Sequence, residues 1–211
     1  MWYLATALIA EGPSDDLFLP PLLTRALDHI CLTEFADTVE VADVRVLRSV
    51  NRPHTVPEAV KLVSENAASF NLIIFHRDQG TGANRVEDEW LGPLRQQWGD
   101  RPERLIGIVP VRETEAWMLA DGEALRRVLG LRWPDDRLGV PAQPKGVERI
   151  VDPKQVLARQ EREVRRPIDS YYERLGGLVS LAVLVSVPAF ARWRQEAVTA
   201  LADIGLRRRY P

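Results

Sequence analysis

The sequence predicts an α/β fold built on a mostly parallel sheet of about four strands, flanked by helices and extended by helices at the C-terminal end. Two observations carry this. Four short apolar runs, at 2–10, 39–47, 71–75 and 105–111, have the length and composition of strands. Segments with helical spacing separate them, so successive strands join by crossovers and pair in parallel.

Trp2–Ala10 is almost continuously apolar and stops at Glu11-Gly12, as a strand buried on both faces does. A helix follows, with Leu19, Leu22, Leu23, Ala26, Leu27 and Ile30 on one side. Its start stays open, because Pro20-Pro21 belong in or before a first turn and not deeper. Val39–Leu47 alternates in part and is rich in valine, giving a second strand. Pro57 opens a helix to about Ser69, with Val60, Val63 and Ala67 on one face. Asn71–Phe75 is the clearest buried strand and ends abruptly in His76-Arg77-Asp78. After the loop Gln79–Asn84, an amphipathic helix spans about Val86 to Trp98. Leu105–Val111 is the fourth strand, and Glu113-Thr114-Glu115 begins a helix through Leu119.

Beyond about Arg132 the character changes. Pro134, Pro141 and Pro144 mark a link to helical segments near 146–162, 169–186 and 189–203. The chain therefore divides into an α/β core, 1–132, and a helical extension, 133–211, packed on it. Residues 145–211 hold 13 basic and 8 acidic residues, a net of +5, while the remainder holds 15 and 22, a net of −7.

The composition excludes several classes. With 45% hydrophobic and 27% charged residues the chain is neither disordered nor collagen-like. Its 28 basic and 30 acidic residues nearly cancel, so bulk charge gives no argument for nucleic-acid binding. Cys31 is the single cysteine, which excludes an internal disulfide and a multi-cysteine metal centre, and its apolar neighbours place it on a buried helix face. The apolar N-terminus lacks the basic stretch of a leader and runs into Glu11 and two aspartates. Leu178–Val187 is too short to cross a bilayer. The expectation is a cytoplasmic protein with no membrane partner.

Ligands of open α/β sheets sit beyond the carboxyl ends of the strands. Three strands here end in acids: Glu11 after the first, Asp78 after the third, and Glu113 with Glu115 after the fourth. Asp15, Asp16 and Asp121 follow closely. If these strands are neighbours, the carboxylates form an oxygen-only cluster suited to Mg²⁺ or Mn²⁺, able to activate water against a phosphodiester. Asp15, Asp16 and Asp121 are equally read as helix caps. Glu11, directly before Gly12-Pro13, has no helix of its own to cap.

Glu11-Gly12-Pro13-Ser14-Asp15 after a first strand, with an acid after a later apolar strand, resembles a Toprim domain. Taken with Phe75-His76-Arg77-Asp78, Val109–Asp121, Asp152-Pro153-Lys154 and the stretch through Leu181, Val187 and Phe190, the pattern resembles a bacterial Toprim-like family over nearly the whole chain. It is the domain-of-unknown-function family numbered 4276, and Thr114–Asp121 is the most specific part of the match. The resemblance implies Mg²⁺-dependent phosphodiester chemistry, as in topoisomerases, primases and overcoming-lysogenization-defect nucleases. In those, a glutamate acts as general acid or base and an Asp-x-Asp pair helps hold metal. By position Glu11 matches the glutamate and Asp78 the first aspartate. Gly80 stands at the second, so Glu115 or Asp16 has to supply the missing oxygen. Members of the family are often encoded beside AAA- or ABC-type ATPases in settings suggestive of phage defence, which implies an ATPase partner.

The reading is thus a Mg²⁺- or Mn²⁺-dependent nuclease acting on DNA or RNA. Glu11, Asp78 and Glu115 are its catalytic candidates, joined by Asp16 as metal ligands, with Arg77 and Arg112 facing phosphate. His76, two residues before Asp78 and on the same side of a strand, is a ligand, a proton carrier or a hydrogen-bonded core residue. The alternative is a catalytically weak adaptor for an ATPase, motivated by Gly80. A third reading is a small-molecule phosphotransfer or nucleotide-binding enzyme. Gly80-Thr81-Gly82 lacks the remaining residues of a P-loop or dinucleotide fingerprint and is read as a turn. Tyr171-Tyr172 and the tryptophans are read as packing. Arg207-Arg208-Arg209 is read as a solvated basic tail, and Lys154, Arg159, Arg162, Arg165 and Arg166 as a candidate basic face.

Overall fold

The computed structural model describes residues 1–48, 52–80, 82, 84–165 and 171–210. The first apolar run forms two strands, β1 (Trp2–Leu4) and β2 (Thr6–Ile9). The second divides in the same way into β3 (Val39–Val41) and β4 (Arg45–Val46). With β5 (Leu72–His76) and β6 (Arg104–Ile108) they make two sheets, a pair β1-β3 and a four-stranded sheet ordered β4-β2-β5-β6, and every strand pairing is parallel. One sheet was expected; the division falls at Ala5. There the amide donates to Asn71 Oδ1 at 2.8 Å while the carbonyl accepts from the amides of Asn71 and Leu72. A side-chain amide stands where a strand neighbour would bond, and the chain changes partners across it.

Side chains of the larger sheet alternate between two cores. Leu8, Leu72, Ile74, Ile106 and Ile108 face one side; Ala7, Ile9, Ile73, Phe75 and Leu105 face the other. The first face is covered by α1 (Pro13–Glu34) and by helices from the second half of the chain, α4 (Glu115–Met118), α5 (Gly122–Leu129), α8 (Tyr172–Leu178) and α10 (Pro188–Asp203). The other face is covered by α2 (Val56–Ser64) and α3 (Gly92–Trp98). Helices on both faces and near-continuous apolar strands make the fold Rossmann-like.

α1 starts at Pro13, so Pro20 and Pro21 lie inside it. Their missing amides are tolerated because Phe18, Leu19, Leu22 and Leu23 around them are fully buried, and packing outweighs the lost ladder bonds. α8 crosses this stretch so closely that a Cβ on Gly176 would overlap the Phe18 carbonyl oxygen. Arg25 ties the crossing, donating from Nη1 to Gly176 O at 2.9 Å and Val179 O at 3.2 Å.

The segment expected as one helix from Val86 to Trp98 opens with a widened turn, Glu87–Leu91, before α3; Pro93 has no amide for the regular ladder. After α6 (Asp135–Leu138) and a 3₁₀ stretch at Pro144–Arg149 comes α7 (Pro153–Val164). The helix expected at 169–186 is broken into α8 and α9 (Leu181–Leu184), where Ser180 caps α9. Asp169, Ser170 and Arg166, like Thr81 in the glycine turn, lie outside the described residues.

The principal core runs from Leu4 to Leu206, so the helices after residue 133 complete the same hydrophobic cluster as the sheet. Cys31, Tyr171 and Tyr172 are buried in it. The C-terminal arginines are exposed, as a solvated tail is, but they are tied down. Arg207 pairs with Asp37 at 2.9 Å, and Arg209 donates to Leu32 O and Phe35 O, strapping the chain end to the end of α1. Among the described residues no helix is long and apolar enough to cross a membrane.

Candidate active site

In the order β4-β2-β5-β6 the strand sequence reverses between β2 and β5, and ligands of open α/β sheets bind at such a switch point. Glu11 leaves β2 and Asp78 leaves β5 side by side, Ile9 being paired with Phe75. The Asp78 amide donates to Glu11 Oε2 at 2.9 Å. Beyond β5 the chain stays against the end of β6, since the Gln79 amide bonds Pro110 O at 2.9 Å. This brings Asp78 to the turn before α4, where the Thr114 amide donates to Asp78 Oδ1 at 3.1 Å. Glu11, Asp78 and Glu115 therefore share one rim of the sheet.

His76 is fully buried at the centre. Its Nε2 is 2.8 Å from Thr114 Oγ1 and 3.4 Å from Asp78 Oδ1; its Nδ1 is 3.4 Å from the Glu11 amide and 3.5 Å from Asp15 Oδ2. In the neutral ring Nδ1 accepts from Glu11 N–H and Nε2–H donates to Thr114. Burial opposes protonation of the ring, but Asp15, Asp78 and Glu11 outweigh it and raise its pKa. Of the sequence alternatives the structure shows the hydrogen-bonded core residue, whose ring also lies within 3.5 Å of two carboxylates, Asp15 and Asp78.

Asp15 is buried, and its Oδ2 accepts from the Gly12 amide at 2.8 Å, the capping role expected. Its Oδ1 has no hydrogen-bond partner. Glu115 is 1% exposed with Oε2 also unpartnered. Burial pushes the Glu115 carboxyl up to about 7; Lys154 pulls it down, and Asp15 and Asp78 add to the rise. Lys154, in the first turn of α7, lies 3.2 Å from Glu113 Oε1 and 3.9 Å from Glu115 Oε1. It is drawn into the acid cluster instead of a basic face.

Three candidates stand apart. Asp16 is held by Arg52 at 2.6 Å and Arg48 at 3.2 Å, so the carboxylate that joins the cluster is Asp15. Asp121 caps α5 through the Glu123 and Ala124 amides and accepts from the Ser180 amide, so of the two roles the sequence offered the structure shows the cap. Arg112 makes no side-chain contact with the cluster among the described residues. Arg77 reaches Glu11 Oε1 at 3.4 Å, donates to Pro53 O at 2.8 Å and stacks 3.9 Å over Trp90. Sequence reasoning missed Thr114, whose hydroxyl carries no signal beyond standing between two acids. It also missed Arg52 and His54, which lie in an irregular linker with no periodicity to place them.

For a hard divalent cation the donor chemistry fits. Its acidic donors are carboxylate oxygens, gathered around His76 with Lys154 beside them, and among the described residues Asp15 Oδ1, Glu113 Oε2 and Glu115 Oε2 are buried without partners. Among the described residues no three such side chains are already gathered tightly enough to hold an ion, so closing on one takes rotamer changes. No family model, no curated protein and no solved structure matches this chain.

Proposed function

We propose that the chain is a Toprim-like, Mg²⁺- or Mn²⁺-dependent nuclease that hydrolyses phosphodiesters of DNA or RNA, related to the domain-of-unknown-function family 4276. The observation that supports it most is the direct link between the ends of β2 and β5, Asp78 N–H to Glu11 Oε2, with unpartnered carboxylate oxygens buried beside it. Asp78, Asp15 and Glu115 are the residues to hold the ion. A divalent ion there supplies charge neutralisation and a more acidic bound water. Glu11 has one oxygen fixed by the Asp78 amide and a side chain 36% exposed, so it can take a proton from water or return one to a leaving oxygen. Arg77, held flat on Trp90, presents donors to a phosphate. His76 and Thr114 position Asp78. The test is cleavage of single- and double-stranded DNA and RNA by purified protein with Mg²⁺ or Mn²⁺, against the same reactions in chelator. Cleavage confined to the metal arms supports the reading; intact substrates throughout contradict it.

A second reading is a catalytically weak partner of an AAA- or ABC-type ATPase, in a phage-defence setting. Gly80 where the Toprim pattern has an acid favours it, as does the Lys154 ammonium already paired with Glu113. Stable co-purification with the ATPase together with no metal binding distinguishes it.

A further inference from the structure

Two adjoining cavities open at the switch point, and they share Ala10, Arg52 and Pro53 in their walls. The inner one, about 240 Å³, has Arg52, His54 and Arg77 around it, with Glu11 and His76 at its floor. The outer one, about 430 Å³, is walled by Pro13, Leu17, Leu47 and Pro53 on its apolar side, with the Asp16–Arg48–Arg52 ion-pair group on the other. We propose that together they form a nucleotide subsite: the phosphate enters between Arg52 and Arg77, and the base and sugar lie against the apolar outer wall. This rests on the nuclease reading in one respect, that the nucleotide is a unit of the strand being cut.

Three features support it. Both guanidiniums are fixed before any ligand arrives. Arg77 is held by Pro53 O and the Trp90 face, and Arg52 by Ala10 O at 2.9 Å and by both oxygens of Asp16. Each guanidinium has five N–H donors, and these contacts leave some of them free for an anion. Second, the two cavities differ in chemistry as the two ends of a nucleotide do: the inner one is rich in basic groups, while five of the eight residues lining the outer one are apolar. Third, the two cavities of about 240 and 430 Å³, taken together, fall on the scale of small-ligand sites, roughly 300–1,000 Å³. Opposing charge is present and defined: Asp16 is spent on Arg52 and Arg48, and Glu11 faces Arg77 at 3.4 Å. Among the described residues lining the inner cavity, Glu11 is the acid that a phosphate beside Arg77 meets.

The experiment is calorimetric titration of adenosine 5′-monophosphate into the full chain in excess chelator, with thermal melts confirming that each variant is folded. Wild type is expected to bind, with adenosine and inorganic phosphate each at least about tenfold weaker. Arg77→Met keeps an apolar side chain against Trp90 but removes the guanidinium, and should weaken binding about tenfold or more, the size of a lost charge-assisted hydrogen bond. His54→Ala, whose imidazole is exposed and free to be removed without touching the core, should weaken it roughly threefold. Glu11→Gln should tighten it roughly threefold by removing the repulsion. No binding by wild type, or equal binding by both weakened variants, overturns the subsite. Phosphate binding as tightly as the nucleotide overturns the apolar half. A nucleotide that binds but fails to compete with an oligonucleotide overturns the assignment to the cut strand. Because binding is read without metal or turnover, a chain that binds the nucleotide yet cleaves nothing leaves the subsite standing and contradicts the nuclease reading alone.

Discussion

The Asp78 amide donates to Glu11 Oε2 at 2.9 Å, so the carboxylate that ends one strand is held by the main chain beyond its neighbour. A carboxylate held this way keeps one oxygen for structure and the other for chemistry. Glu11→Gln preserves the acceptor, because the amide oxygen can take the same N–H, but removes the charge and the basic oxygen. We expect its thermal stability to stay within about 1 kcal/mol of wild type while metal-dependent cleavage falls at least about a hundredfold. Parallel melts and cleavage rates check this; a variant that cleaves like wild type removes Glu11 from the chemistry.

Glu115 makes stability depend on pH in a definite direction. Its unfolded carboxyl titrates near 4.5 and its folded one near 7. Below the lower value both states hold the proton. Between the two only the folded state does, so each rise in pH lowers stability; above about 7 the full penalty, on the order of 3 kcal/mol, is present. Glu115→Gln is neutral throughout. Its melting temperature in chelator should therefore rise relative to wild type from about pH 4.5 to about pH 7 and level off above. A constant difference across that window contradicts a carboxyl whose burial outweighs its Lys154 partner.

His76 joins Thr114, Asp78, Asp15 and the Glu11 amide from a position with no solvent access. His76→Ala removes a fully buried ring and leaves polar groups around a void, so a loss of about 3 kcal/mol is expected from chemical denaturation. His76→Asn, which can still donate to Thr114, should recover part of it. Equal losses in the two variants would mean that volume alone is at stake.

Gly176 lies against the proline-containing stretch of α1. Gly176→Ala forces α8 away from Phe18 O and disturbs the Arg25 bonds at the same crossing. A destabilisation of about 2–3 kcal/mol is expected, despite the better helix propensity of alanine. A stabilised variant would show that the crossing is looser than described.

The parts of this fold that the sequence makes legible are those with local causes. Apolar runs such as Leu72–Phe75, the helical spacing of Leu19 to Ile30 and the acids at strand ends all report on burial within a few residues. What stayed hidden depends on distant groups. The strand break at Ala5 is made by Asn71, the tolerance of Pro20-Pro21 by the packing of α8, and the binding of the C-terminal arginines by Asp37 and Phe35. The same holds at the site. Glu11, Asp78 and Glu115 are visible as strand-end acids, and the structure brings them to one rim. Asp15 and Asp16 are adjacent and chemically alike, and only the position of Arg52 decides which of them is diverted. Asp121 reads equally as a ligand or a cap until the Ser180 amide is found on it.

The proposed nuclease needs these carboxylates to act together on one hard cation. Calorimetric titration of Mn²⁺ and Mg²⁺ into wild type and Asp78→Asn tests that most directly. We expect one ion per chain in wild type and an affinity at least about tenfold weaker in the variant, as for loss of one charged ligand. No metal binding by folded wild type, or identical binding by the two proteins, contradicts it.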